Sequence, residues 1–241
     1  MKIHTIGGYE KVGGNMTAVE VDGDIVIFDM GADIERVVDQ GARLEDMKTV
    51  EAIESKVVPD DREIKDRRDD VKAIVIGHGH QDHCRGVPKL AGAYDCPIVS
   101  TPYTGDLIER FIEDDREYVK NKLIRMETGE KLQISDNFEL ELVDMTHSIP
   151  QTALSVLRTN EGTVVYSLDF KLDETPTLGS PVNFEKLKEL GGEGVKAYIV
   201  DCTRANEPGK TKSELETKKE LERIIAEEDK KRDGIIVTTF S

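Results

Sequence analysis

The sequence is poor in cysteine, and none of it is paired. Cys84, Cys96 and Cys202 stand alone, an odd number without CxxC spacing. That excludes a disulfide framework and reads as three small apolar thiols in a reducing compartment. Long apolar runs are missing as well. No stretch approaches the roughly 20 residues that cross a bilayer, and Met1-Lys2-Ile3-His4-Thr5 opens no apolar signal segment. A cytoplasmic protein with no membrane partner is expected. Positive charge is scarce, with 33 Lys and Arg against 49 Asp and Glu for a net charge of -16. Such acidity argues against non-specific nucleic-acid binding through bulk charge. It does not exclude a nucleic-acid enzyme, because bound divalent ions and a local basic groove reverse the field where a phosphate sits. Internal repeats and low-complexity tracts are absent too.

What is present is a chain of 241 residues, enough for one large α/β domain or for one domain and part of another. Only five histidines occur, and three of them fall within Gly77-His78-Gly79-His80-Gln81-Asp82-His83. This stretch directly follows Ala73-Ile74-Val75-Ile76, an apolar run that reads as a buried parallel strand bounded by glycine. Imidazoles and a carboxylate packed at a strand end supply the neutral nitrogen and hard oxygen donors that suit zinc or a similar divalent ion. The bland alternative is a polar turn that happens to be rich in histidine; strand position, spacing and flanking glycines speak against it.

Along the rest of the chain, short β-type runs are expected at residues 3–6, 16–21 and 25–28, the last two joined by the hairpin signal Asp22-Gly23-Asp24. Asp29 ends the third run, where it would serve simply as a turn or cap residue. Residues 33–70 are charged and weakly periodic, as in peripheral helix and loop. A strand at 71–76, a helix at 84–94 and a strand at 97–100 make a βαβ unit with the histidine cluster at the carboxyl end of its first strand, where open α/β sheets place their chemistry. The spacing of Leu107, Ile108, Phe111, Ile112, Tyr118 and Leu123 predicts one long amphipathic helix over 104–125, ended by Gly129. Further strands are expected at 138–143, 153–157, 163–168 and 197–200. Ser213 and Glu216 form a capping box for a helix with Leu221, Ile224 and Ile225 on its inner face. The run from Gly234 to Ser241 reads as a strong strand with nothing after it, so the chain is expected to be cut short. His147 and Asp169 each lie in a loop leaving a β-type run, and Asp201 ends another. The ends of several strands are therefore able to converge on one metal centre.

His78-x-His80-x-Asp82-His83, preceded by Asp29 and followed by His147 and Asp169, resembles the ordered motif set of the metallo-β-lactamase superfamily over about 140 residues. Within it, the sequence is similar to the β-CASP ribonucleases, above all the archaeal type of RNase J. The resemblance rests on Gly7-Gly8 through Gly13-Gly14-Asn15-Met16-Thr17, on Ser148-Ile149-Pro150-Gln151-Thr152, on Asp169-Phe170-Lys171, and on Asp201-Cys202-Thr203 with Asn206. It implies an α/β fold, the αββα sandwich, as residues 1–204, with the start of an inserted β-CASP domain in residues 205–241. It also implies two zinc ions, hydrolysis of single-stranded RNA from a 5′-monophosphorylated end, and a homodimer of the full-length protein.

Carried over by position, His78, His80 and His147 hold one zinc, Asp82 and His83 the other, and Asp169 bridges both. Asp29 orients a ligand histidine. Asp82 is a secondary candidate for handling the proton of the attacking water, behind the favoured reading of a plain metal ligand, and Asp201 matches the acidic residue that sits near the reacting phosphate. Gly14 stands where bacterial relatives usually carry lysine, and Gln81 occupies a variable position. The family's last ligand histidine and the one proposed to assist the leaving group would fall after Ser241, leaving one metal site complete and one deficient. The competing readings are an endonuclease of the cleavage and polyadenylation kind, a thioester or lactone hydrolase on the same scaffold, and a non-catalytic RNA-binding scaffold subunit.

Overall fold

The computed structural model describes residues 1–41, 43–229 and 234–238. Eleven strands and seven α-helices follow one another along those residues. In chain order they are β1 (Lys2–Gly7), β2 (Met16–Val21), β3 (Asp24–Phe28), α1 (Ile34–Asp39), α2 (Thr49–Glu54), β4 (Val71–Ile76), α3 (Gln81–Cys84), α4 (Val87–Leu90), β5 (Ile98–Ser100) and α5 (Pro102–Asp115). They continue with β6 (Leu123–Arg125), β7 (Lys131–Ser135), β8 (Phe138–Asp144), β9 (Ala153–Thr159), β10 (Gly162–Tyr166), α6 (Phe184–Glu193), β11 (Val195–Ile199) and α7 (Glu214–Asp229).

The strands form two sheets, ordered β1-β2-β3-β4-β5-β6 and β11-β10-β9-β8-β7. Strands β3 to β6 are mutually parallel, so their carboxyl ends share one edge. In the second sheet β8 and β10 both run antiparallel to β9, and β11 is parallel to β10, so those three also end at a common edge. Loops leaving these ends are where an α/β fold gathers side chains.

Period-two alternation sets the layers. In β2 and β3, Met16, Ala18, Ile25 and Ile27 face an outer layer that includes Leu44, Ala52, Val87, Tyr94 and Ile108. Their neighbours Val19, Val21, Val26 and Phe28 face the second sheet and pack with Phe138, Leu140, Leu142 and Leu157. On the far face of that sheet, Val143, Leu154, Val156 and Val165 pack with Val182, Leu190 and the partly buried Phe184 and Leu187 of α6. The result is helix, sheet, sheet, helix: the expected αββα sandwich. Apolar burial on both sides of both sheets is its main driving force.

Four expectations need correction. The long helix over 104–125 stops at Asp115, because Arg116 turns into the left-handed region at φ 55. Leu123 then extends β6 alongside β5 instead of a helix face, and Tyr118 is 89% exposed. The helix expected over 84–94 is broken into α3, α4 and a 3₁₀ turn at Ala91–Ala93, with Gly86 capping α4 and Pro88 in its first turn. The helix after Ser213 forms with its capping box, Ser213 N–H donating to Glu216 Oε2 at 2.8 Å and Glu216 N–H to Ser213 Oγ at 3.1 Å. Its supposed inner face is exposed, however, because no element among the described residues buries Leu221, Ile224 and Ile225. Finally, residues 234–238 are irregular and Ile236 is 91% exposed, with no strand beside them among the described residues; residues 239–241 lie outside those described.

Candidate metal centre

Backbone contacts fix the frame. Asp29 N–H donates to Val75 C=O at 2.9 Å, Met30 N–H to His83 C=O at 2.8 Å, and Gly86 N–H to Met30 C=O at 2.8 Å, so the turn after β3 is stitched to the turn after β4. Asn15 N–H donates to Asp82 C=O at 3.1 Å, adding the loop before β2. Close approach explains two glycines. A Cβ on Gly31 would lie 1.5 Å from the Asp82 carbonyl oxygen, and one on Gly77 would lie 1.9 Å from Leu168 Cδ1. Asp29 and Leu168 are held in the left-handed region, φ 62 and 55, a strained conformation for residues with a side chain.

The ends of four strands supply the side chains. Those of His78, His80, His147 and Asp169 form one group of potential donors, and those of Asp82, His83 and Asp169 a second, with the donor atoms of each group within 4.8 Å of one another. Asp169 belongs to both. His147 Nε2 lies 3.0 Å from His80 Nδ1 and 3.7 Å from Asp169 Oδ2. His83 Nε2 lies 3.3 Å from Asp82 Oδ2 and 3.4 Å from Asp169 Oδ1. The other nitrogen of that ring, Nδ1, is 2.7 Å from Asp29 Oδ2. A carboxylate accepts only, so Nδ1 carries the hydrogen. The Tyr166 hydroxyl donates to the same Asp29 oxygen at 2.9 Å. Tyr166 is itself braced by Phe28, whose ring stacks on it with centroids 4.9 Å apart.

All six candidate ligands and Asp29 thus come together at one place. Asp201 does not join the donor groups. It lines the adjoining cleft, where its carboxylate accepts from Thr203 N–H at 2.9 Å and from the Thr203 hydroxyl. His4 lies elsewhere, between Glu20 and Glu63. Asn15, Tyr166 and Leu168 are site residues that sequence reasoning missed as such. The Asn15 amide nitrogen is 3.1 Å from both His83 Nε2 and the Asp82 carbonyl oxygen. Its only signal in the sequence is its place after Gly13-Gly14.

The electrostatics divide the histidines. Burial, reinforced by the neighbouring rings, holds His78 well below the ordinary imidazole range. His147 is lowered to about 4, burial outweighing the attraction of Asp169. His80 is lowered as well, again chiefly by burial. Burial also acts downward on His83, but Asp29, Asp169 and Asp82 overcome it and hold this ring well above its usual range. In turn, burial pushes Asp82 and Asp169 upward, and His83 more than reverses it, so both carboxylates stay ionised.

Both ring nitrogens of His78 are buried without a hydrogen-bond partner. A buried unpaired polar atom costs about 1–3 kcal/mol, so this ring makes sense as a donor to a cation rather than as a core histidine. His78, His80 and His147 kept neutral and Asp82 and Asp169 kept ionised are in the protonation states a divalent ion requires, while His83, charged by the carboxylates around it, has to release its Nε2 proton to join them as a donor. The residues present fit such an ion.

Residues 50–207 match the Beta-lactamase superfamily domain. The chain belongs to the metallo-β-lactamase superfamily. It is 42% identical over 243 residues to Ribonuclease J of Methanocaldococcus jannaschii and 43% identical over 244 residues to that of Pyrococcus abyssi, covering 100% of this chain and 54% of each relative. The chain therefore spans about half the length of the curated relatives it matches. Among solved structures, a protein of unknown function from Enterococcus faecalis superposes with a TM-score of 0.63 at 17% identity, covering 88% of this chain and 52% of that one. Zn(2+)-bound PqqB from Methylobacterium extorquens superposes with a TM-score of 0.50 at 14% identity, covering 82% of this chain and 65% of that one. Both likenesses speak for the metallo-β-lactamase fold alone.

Proposed function

We propose that the protein is a metal-dependent ribonuclease of the RNase J type, acting as a 5′-to-3′ exonuclease on single-stranded RNA with a 5′-monophosphate. The observation that carries this reading is a two-part donor cluster sharing Asp169, in a chain similar along its whole length to proteins called Ribonuclease J. The proposed ligand set is His78, His80, His147 and Asp169 for one divalent ion and Asp82, His83 and Asp169 for the other. Zinc is the favoured metal, since imidazole nitrogen and carboxylate oxygen are its usual donors. Two such ions, when bound, supply an acidified water and neutralise the charge that develops on a phosphate.

The chain's own residues do the rest. His78, His80 and His147 are kept uncharged and so are ready to donate at neutral pH. Asp29 fixes the His83 ring through Nδ1 and leaves Nε2 turned toward Asp82 and Asp169. In hydrolysis the water oxygen joins phosphorus, the phosphorus bond to the leaving oxygen breaks and that oxygen takes up a proton to become a hydroxyl, and the attacking water's own proton must go to a base. Asp82, ionised and at the floor of the cleft, is the candidate acceptor. Asp201 borders the same cleft and is proposed to stand beside the substrate phosphate. By the same resemblance, residues 1–204 form the metallo-β-lactamase domain and residues 205–241 open a β-CASP domain. A homodimer and a cytoplasmic location belong to this proposal. Among the described residues no helix is long and apolar enough to cross a membrane.

The test uses RNA labelled at its 5′ end, carrying either a monophosphate or a triphosphate. Release of labelled mononucleotide, faster from the monophosphate, is expected; discrete internal cuts alone would favour an endonuclease. A variant combining His78→Ala and His80→Ala should lose both bound zinc, read by elemental analysis, and cleavage. Cleavage that survives would remove the cluster from the mechanism.

A further inference from the structure

Beside the cluster lies a cleft of about 340 Å³, a volume near the lower end of those that hold small ligands. Asp82, His83 and Asp169 form part of its floor, the loop from Gly7 to Asn15 one wall, and Val200 to Thr203 the other. This wall is short of free positive charge. Lys11 is the only Lys or Arg lining the cleft among the described residues, and its Nζ is 2.6 Å from Asp33 Oδ2. What the walls do offer is apolar surface, with Tyr9 48% exposed, Val12 71% and Val200 38%.

Tyr9 is held ready for contact. Its hydroxyl is hydrogen-bonded to Thr17 Oγ1 at 2.7 Å, which fixes the far end of the ring. The loop that carries it is pinched shut at its neck, where a Cβ on Gly7 would lie 2.1 Å from the Gly14 carbonyl oxygen. A half-exposed aromatic ring, tied at its polar end and set in the wall of a cleft, is a stacking platform. In a chain of net charge -16, attraction for a polyanion has to come from something other than bulk charge.

We propose that Tyr9 stacks on a nucleobase of the single-stranded substrate next to the bond being cut, so that stacking, rather than a cationic wall, holds the strand over the cluster. This rests on the ribonuclease reading and adds to it a residue that positions substrate. Every base has a π-face, so the contact is tolerant of sequence.

The experiment compares wild type with Tyr9→Ala, Tyr9→Leu and Tyr9→Phe on a 5′-monophosphorylated oligoribonucleotide and on the same oligonucleotide with abasic positions at its 5′ end. Thermal unfolding checks that each variant is folded. On normal RNA, Tyr9→Ala and Tyr9→Leu should raise KM about 5- to 150-fold, the span of base–aromatic stacking, with kcat little changed. Tyr9→Phe keeps the ring but loses its tether to Thr17, so its KM should rise much less than that of Tyr9→Ala. On the abasic oligonucleotide the ring has nothing to stack on, and all four proteins should show the same KM. An unchanged KM for Tyr9→Ala on normal RNA overturns the stacking role, as does an equal loss on abasic RNA or a loss with Tyr9→Phe as large as with Tyr9→Ala. A wild-type protein that cuts no RNA at all overturns the ribonuclease reading, and the stacking role with it.

Discussion

At Asp29 a carboxylate with no exposed surface meets an imidazole nitrogen at 2.7 Å and a phenol at 2.9 Å. Its partners are 54 and 137 residues away along the chain. That distance is why its immediate neighbours show only a turn residue at the end of an apolar run and its role comes from the family resemblance alone, whereas His78, His80, Asp82 and His83 announce themselves by sitting together. The Asn15 and Tyr166 contacts are equally invisible, since each exists only once two strand ends meet. Under the proposed ligand set, Asp29→Asn replaces an acceptor facing His83 Nδ1 by a group that can also donate, so the ring's orientation and tautomer are no longer enforced. Metal affinity should fall about 10- to 100-fold, read by competition with a chromophoric chelator. Wild-type affinity in a folded Asp29→Asn protein would mean that His83 needs no such support.

Elements were legible where a local signal exists and lost where tertiary contacts decide. The strands flanking the cluster follow from short apolar runs, and the start of α7 from Ser213 and Glu216. The end of α5 does not, because a left-handed Arg116 interrupts an apolar spacing that continues past it. A second device at the start of α7 also escaped notice. Asp173, buried in the chain segment after β10, accepts from Glu214 N–H at 2.7 Å and Thr175 N–H at 2.9 Å, and pairs with Lys171 Nζ at 3.1 Å. It thereby joins α7 to the site loop. Burial acts upward on this carboxyl, but those N–H groups and the ammonium bring it down to about 2. The ordinary value is about 3.9, so the folded state holds the proton more weakly than the unfolded chain. Its contribution is therefore fully present above about pH 4 and disappears as pH falls from there through 2. Thermal unfolding followed from pH 5 to pH 2 should show a steeper loss for wild type than for Asp173→Asn, which has no such proton to take up. Parallel curves for the two proteins would show that Asp173 does not anchor α7.

For the whole molecule, short apolar runs made the α/β class legible, but the four-layer sandwich came from the family resemblance, because Ile25 and Ile27 are as apolar as Val26 and Phe28, which face the other way. What the pattern cannot supply is which apolar faces find partners. Leu221, Ile224 and Ile225 carry the spacing of a buried stripe, yet they are 48, 43 and 40% exposed. Phe138 has the same apolar character but is fully enclosed between the sheets. The two sites should therefore respond very differently to truncation. Phe138→Ala removes a ring from a close-packed layer and should cost about 3–5 kcal/mol. At about 2–4 °C per kcal/mol for a chain of this size, that lowers Tm by roughly 6–20 °C. Leu221→Ser on the open face of α7 should stay within about 0.5 kcal/mol of wild type. Calorimetry on the 241-residue chain measures both. A Leu221→Ser loss approaching that of Phe138→Ala would mean that this face of α7 is covered in solution, and that the exposed stripe is part of a packed interface after all.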